Sequence, residues 1–358
     1  MSPSAVYPRQ CFAAANSREG FRSYYGNVFS DNRIDRLYII KGGPGTGKSH
    51  FMKVVARHAR EQGYTVTECF CSSDPNSLDG IILSRAGSPT AGLLDGTAPH
   101  VCEPTLPGAR DELIDLGRFW DGEALGGQRD TIASLGQKKS TAYARAYTCL
   151  RAAGEMDSLA DSLMEPCVDE SRLTALAARL LRSVPSGETF EAVFALRRAI
   201  SMTGRHTLPS YEAAAKTLIL PDNGYGMGFR LMSLLLAVSE ARRHRVFVSY
   251  DPLCPQKPDG LLYPETGLCI LTAEATPAEG IPTRTLPLRR YTNPRALREI
   301  RGELRRTVAM RETLTDTALR HLASAASYHF ELETIYAAAM DFQAKEAFTE
   351  RFCRELLR

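Results

Sequence analysis

Apolar and polar positions follow two rhythms along the chain. "RLYII" (36–40) is a short run of β-branched and aromatic residues, the composition of a strand. A glycine- and proline-rich loop follows. Then Phe51, Val54, Val55 and Ala59 recur at helical spacing, with Lys53, Arg57 and Arg60 on the other face. That helix is expected to end near Gly63, a residue suited to the position just past a helix C-terminus. "YTVTECFC" (64–71), "AGLLD" (91–95) and "HRVFVSYD" (244–251) read as further strands. The blocks 149–169 and 321–341 each belong to a helical pair. Each leads into a further helix, "SRLTALAARLLRSV" (171–184) and "AKEAFTERFCRELLR" (344–358). Strand, loop, helix, strand is the βαβ order, which predicts an α/β fold with a doubly wound, mainly parallel sheet.

The pattern also repeats. Gly43, Gly45 and Gly47 fall on Gly224, Gly226 and Gly228 at a shift of 181, and Asp79-Gly80 falls on Asp259-Gly260 at 180. Leu150, Ala153 and Asp169 fall on Leu322, Ala325 and Asp341 at a shift of 172. Three short matches in the same order, with a slowly shrinking offset, predict a unit duplicated in tandem with helical hairpin insertions. The expected domains are 19–183 and 188–358, parted near the Pro-Ser-Gly of "RSVPSGETF" (182–190).

The first loop carries the chemistry. Gly42, Gly47, Lys48 and Ser49 satisfy G-x-x-x-x-G-K-[ST], with Gly43, Pro44, Gly45 and Thr46 between them. Glycines let the backbone wrap a phosphate with its N–H groups turned inward. Lys48 then reaches the β- and γ-phosphates, and the Ser49 hydroxyl is a Mg²⁺ ligand. The following helix offers its unpaired N–H groups to the same anion. The motif carries weight because it sits between a strand and a helix, which makes ATP with Mg²⁺ the expected cofactor pair. Asn-Lys-x-Asp, the guanine-reading motif, is absent.

An acidic group is also needed for the metal shell, and Asp95, at the end of "AGLLD", is the first candidate; an Asp-Gly turn is the alternative. Asp74, in "CSSDPNSLDG", is a candidate for orienting water or accepting a proton, against a plain turn role. His100 is a weaker candidate for contact with the γ-phosphate. "LGGQ" (125–128) follows Asp95, the wrong side for a transporter-type signature, and reads as a polar surface turn. In the second copy Phe229 stands under Lys48 and Arg230 under Ser49, so the glycines persist while the lysine and hydroxyl are lost.

Composition narrows the classes. With 44% apolar and 24% charged residues the chain is globular, and a net charge of +3 sets up no field for nucleic acid or membranes. "RRYTNPRALREIRGELRR" (289–306) is locally basic, but with Tyr291 as its one aromatic it lacks aromatic interleaving, and it reads as the wet face of a helix. Nine scattered cysteines without a CxxC pair are expected to be reduced, in a cytoplasmic protein without a signal peptide or membrane span.

Residues "IIKGGPGTGKS", "CSSDPNSLDG", "LLDGTAPH", "PGARDELIDLGRFWD" and "AMDF" resemble a bacterial family of P-loop ATPases with two tandem copies of the unit. The resemblance is strong over 19–121 and thin in the second half. It implies a P-loop NTPase fold, ATP binding, helical insertions, and Lys48, Ser49, Asp74 and Asp95 at the site. It carries no substrate. The family's second copy often has an intact loop, which this chain lacks.

Three readings follow. An ATPase or switch would report its nucleotide state to a protein partner. A small-molecule kinase would use Asp74 as base towards an acceptor hydroxyl. A non-catalytic sensor or scaffold would use binding alone. A second copy of the chain is a further candidate partner, since a catalytic arginine is often supplied in trans or could come from "RRYTNPR".

Overall fold

The structure is a computed structural model that describes residues 8–99, 101–211, 214–221, 225–272 and 282–357. The elements that build its layers come in two series. The first is β1 (Gln10–Phe12), β2 (Arg36–Lys41), α1 (Lys48–Glu61), β3 (Thr65–Phe70), β4 (Leu78–Ser84), β5 (Ala91–Asp95), β6 (Asp111–Asp115), α2 (Arg129–Met164) and α3 (Glu170–Leu180). The second is β7 (Glu191–Phe194), β8 (Lys216–Leu220), α4 (Met227–Ala241), β9 (Arg245–Tyr250), β10 (Pro258–Tyr263), β11 (Leu268–Thr272), β12 (Thr283–Thr285), α5 (Pro294–Ala338) and α6 (Phe342–Leu356). Short hairpins and turns join them.

The fold is α/β with two six-stranded mixed sheets of the same order, β1-β3-β4-β5-β2-β6 and β7-β9-β10-β11-β8-β12. In the first, β2 runs parallel to β5 and β6, while β4 is antiparallel to both its neighbours. In the second, β8 runs parallel to β11 and β12, and β10 is the antiparallel strand. Local detail matches as well. A register irregularity falls at Cys69/Phe70 in one half and at Ser249/Tyr250 in the other. The loop beyond is closed by the same bond in each: the Cys71 N–H donates to the Ser77 carbonyl at 2.9 Å, and the Asp251 N–H to the Lys257 carbonyl at 2.8 Å.

The antiparallel β4 departs from the sequence reading, in which Asp79-Gly80 was only a repeat mark. Gly80 lies within the strand because the Phe29 ring stands 2.5 Å from where a Cβ would be. The segments expected as helical hairpins are instead one long helix followed by a short one. α2 has 36 residues and α5 has 45, and neither contains a proline beyond its first position. "LGGQ" belongs largely to an exposed six-residue helix, Gly122–Gly127, capped by Asp121.

The chain divides into two compact units. The loop unit holds Ser23–Ala146, Ser201–Gly204 and the residues from Leu319 on. The companion unit holds the residues up to Arg22, Tyr147–Ile200 and Arg205–Ala318. The boundary read near residues 182–190 lies inside the companion unit. In the loop unit the buried face of α1, formed by Phe51, Met52, Val55 and Ala59, packs on β2 and β4 and under α6, with the Phe51 and Phe352 rings 5.2 Å apart. In the companion unit Leu231, Met232 and Leu235 of α4 share a core with Leu173, Leu176 and Ala177 of α3. Each core is therefore closed by a short helix from the other half of the sequence. Among the described residues no helix is long and apolar enough to cross a membrane.

Candidate active site at the first glycine loop

β2 ends at Lys41, six residues follow, and α1 starts at Lys48. Gly45 and Gly47 take φ of +72° and +75°, left-handed values that side chains disfavour. Space makes the same demand at Gly45, where a Cβ would stand 2.5 Å from the Glu333 carbonyl oxygen. Gly47 caps α1 without a side chain, so the first-turn N–H groups of a 14-residue helix have no side-chain cap. Thr46 is buried, and its hydroxyl donates to the Gly43 carbonyl at 2.9 Å, bracing the turn.

The Lys48 ammonium donates to the carbonyls of Gly42 and Gly43, both at 2.8 Å, and lies 3.5 Å from Asp95 Oδ2. β5 runs beside β2 in parallel, with Ile40 opposite Asp95, which places this carboxylate at the carboxyl edge next to the loop. Asp95 Oδ1 accepts from the Thr97 N–H and hydroxyl at 2.9 and 2.5 Å, leaving Oδ2 turned to the lysine. The Ser49 hydroxyl accepts from the Leu78 N–H at 2.9 Å. Asp74 serves a turn: its Oδ1 accepts from the Asn76 N–H at 3.2 Å and its carbonyl from the Ser77 N–H at 2.9 Å. His100 lies outside the described residues.

Sequence reasoning missed the groups that the long helices bring. On α5, the Glu333 carboxyl is held below its ordinary value, first by a hydrogen bond from His329, at 3.5 Å, and, against partial burial, by His329's charge and the nearby ammoniums of Lys48 and Lys139. On α2, burial holds the Lys139 ammonium below its ordinary value; Glu333 opposes this and Lys48 adds to it. The Trp120 ring lies against Gly43, with Cζ2 3.2 Å from where a Cβ would be, and 5.3 Å from the Tyr336 ring.

Lys345, on the first turn of α6, is only 1% exposed. Its Nζ stands 3.1 Å from where a Cβ on Gly47 would be, and 5.6 Å from the Phe342 ring centre. Burial pulls its pKa down, Glu346 opposes this, and no carboxylate pairs with it among the described residues. The helical pattern held a signal for it: Lys345, Thr349, Phe352 and Cys353 share one buried stripe. An unpaired buried ammonium costs about 1–3 kcal/mol. Lys345→Met is therefore expected to raise the unfolding midpoint of the ligand-free protein by about 2–12 °C, read by calorimetry.

The second glycine loop is built differently. Leu220 lies opposite Thr272, the last residue of β11, as Ile40 lies opposite Asp95. Counting from there, Pro221 stands where Lys41 does, and only five residues, 222–226, precede α4. Gly226, at φ +67°, caps α4 as Gly47 caps α1. The positions of Lys48 and Ser49 then fall to Met227 and Gly228 rather than to Phe229 and Arg230, and Asp95 is replaced by Thr272. Arg230 donates to Glu170 Oε1 at 3.0 Å and to the Asp161 carbonyl at 2.9 Å, a structural pairing. Gly224 lies outside the described residues.

The site fits a phosphate chain with a divalent cation better than a metal alone. Among the described residues no group of three or more His, Cys, Asp or Glu could hold a metal ion. Mg²⁺ characteristically takes one or two protein oxygens and completes its shell with phosphates and water. No protein-family model matches the chain, and no curated protein or solved structure does either.

Proposed function

We propose that the protein is a P-loop NTPase that binds Mg²⁺-ATP at one site, in the loop unit, and hydrolyses it. The observation that carries this is the Lys48 ammonium, at the start of α1 behind two left-handed glycines and 3.5 Å from the carboxylate that ends the adjacent parallel strand. In this reading the loop N–H groups and Lys48 hold the phosphates. Ser49 and Asp95 hold Mg²⁺, which supplies charge neutralisation on the transferring phosphoryl group. Lys48 exchanges its two loop carbonyls for phosphate oxygens. Lys139 would add positive charge near Lys48, Glu333 would orient water, and Trp120 and Tyr336 would exclude bulk solvent.

Met227 and Gly228 at the start of α4, with Thr272 at the end of β11, support a single working site. The shared strand order supports a duplicated unit, in keeping with the resemblance to tandem P-loop ATPases. The test is Mg²⁺-dependent phosphate release from ATP by the purified chain, with Lys48→Ala as the blank. Turnover removed by the substitution is the expected result. ATP bound without turnover would overturn hydrolysis and favour a kinase awaiting its acceptor, or a sensor.

A further inference from the structure

The arginines of the basic segment 289–306 are exposed, as a wet helix face requires, and three of them also border a cavity. In the companion unit a cavity of about 230 Å³ opens beside the second loop. Its floor is apolar, made by Met164, Met227, Leu288 and Leu297 with Tyr225. Its rim carries Arg289, Arg298 and Arg301, and no acidic residue among the described residues lines it. None of the three guanidiniums has a carboxylate partner among the described residues. Arg298 and Arg301 are three positions apart on α5 and so share a face, while Arg289 comes from the 3₁₀ turn that precedes it.

The loop unit shows why the space exists. Its 3₁₀ turn, Gly117–Phe119, and the paired position after it, Trp120 opposite Met340, correspond to Arg289–Tyr291 and Thr292 opposite Val168. The indole that covers the first glycine loop is thus a threonine here. On the same correspondence, 172 positions apart, Arg289 and Arg298 replace Gly117 and Gly126. One half has lost a ring and gained two guanidiniums around the vacated volume.

We infer that this cavity is a second ligand site, for a small organic anion: a phosphate or carboxylate head on an apolar body of about one ring. The volume exceeds the roughly 150 Å³ that accommodates benzene in an apolar cavity. Guanidinium forks match both head groups in a bidentate way, and Met227 and Leu297 take the body.

The test is calorimetric titration of phenyl phosphate, and separately of benzoate, into the full chain. Saturable binding of at least one is expected, the tighter of the two naming the head group. Binding should weaken at least about tenfold in Arg298→Ala/Arg301→Ala, which removes two exposed charge-assisted contacts. It should be abolished in Thr292→Trp, which restores the plug, and be retained in Lys48→Ala. Circular dichroism checks that each variant is folded, and the exposed arginine pair keeps the test valid if the tryptophan is not tolerated. No saturable binding of either anion, equal binding by the double-arginine variant, or loss in Lys48→Ala would each overturn the inference.

Discussion

Lys48→Ala is expected to lower ATP affinity at least about a hundredfold, the scale of losing a charge-assisted contact to phosphate in a partly dehydrated site. The side chain is 12% exposed and is held by two carbonyls and Asp95, so in the free protein its removal leaves Asp95 with only the Thr97 contacts. Stability should fall slightly, because Asp95 keeps both of those hydrogen bonds. Met227→Ala, at the matching helix start of the companion unit, should do the reverse. It empties buried volume beside Leu231 and Leu235, costing about 2–5 kcal/mol, and leaves ATP affinity unchanged. Calorimetric titration with Mg²⁺-ATP reads both. Equal loss of nucleotide in the two variants would refute a single working site.

What the sequence revealed and what it hid divide along a physical line. The strand–loop–helix from Arg36 to Glu61 was legible because its signals are local: β-branched residues, glycines forced to positive φ, and a helical apolar stripe. β4 was hidden because Asp79 and Gly80, a turn pair by propensity, are buried in mid-strand, where Gly80 is required by the Phe29 ring. Lys139, Glu333 and Lys345 were hidden for another reason. They reach the loop from α2, α5 and α6, at sequence distances of 90 residues and more, and only the folded packing brings them there. The alignment of the second loop erred by local logic too. Matching glycine to glycine placed Phe229 under Lys48, whereas helix capping and strand register put Met227 there after a loop one residue shorter. Spacing from a glycine is a weaker guide than spacing from a hydrogen-bonded strand.

Asp157→Ala is expected to be among the most destabilising single changes in the companion unit. The carboxylate is 8% exposed and pairs with the Lys257 ammonium and, at 2.9 Å, with Arg311 Nη1; the Cys254 thiol donates to it at 3.2 Å. Burial alone would raise its pKa, but Lys257, Cys254 and Arg311 together hold it below the ordinary value. Removing it leaves two partly buried cations, although Lys257 keeps Asp161 at 2.5 Å and Arg311 keeps Glu312 at 3.0 Å. The cost should therefore lie near the low end for a broken buried pair, about 3 kcal/mol. That corresponds to a midpoint lower by about 6–12 °C in calorimetry. The exposed pair Arg295–Glu299, at 3.8 Å, is the control, and Arg295→Ala should leave the midpoint unchanged. The sign with pH follows from the depressed folded pKa. The Asp157 contribution is present in full above the unfolded carboxyl value of about 4 and is lost as pH falls through the folded value. The stabilities of wild type and Asp157→Ala should thus begin to converge below about pH 4, where the unfolded carboxyl takes up its proton, and should meet only once pH has fallen through the lower folded value. A gap that stays constant from pH 7 to pH 3 would mean that Asp157 acts through packing rather than charge.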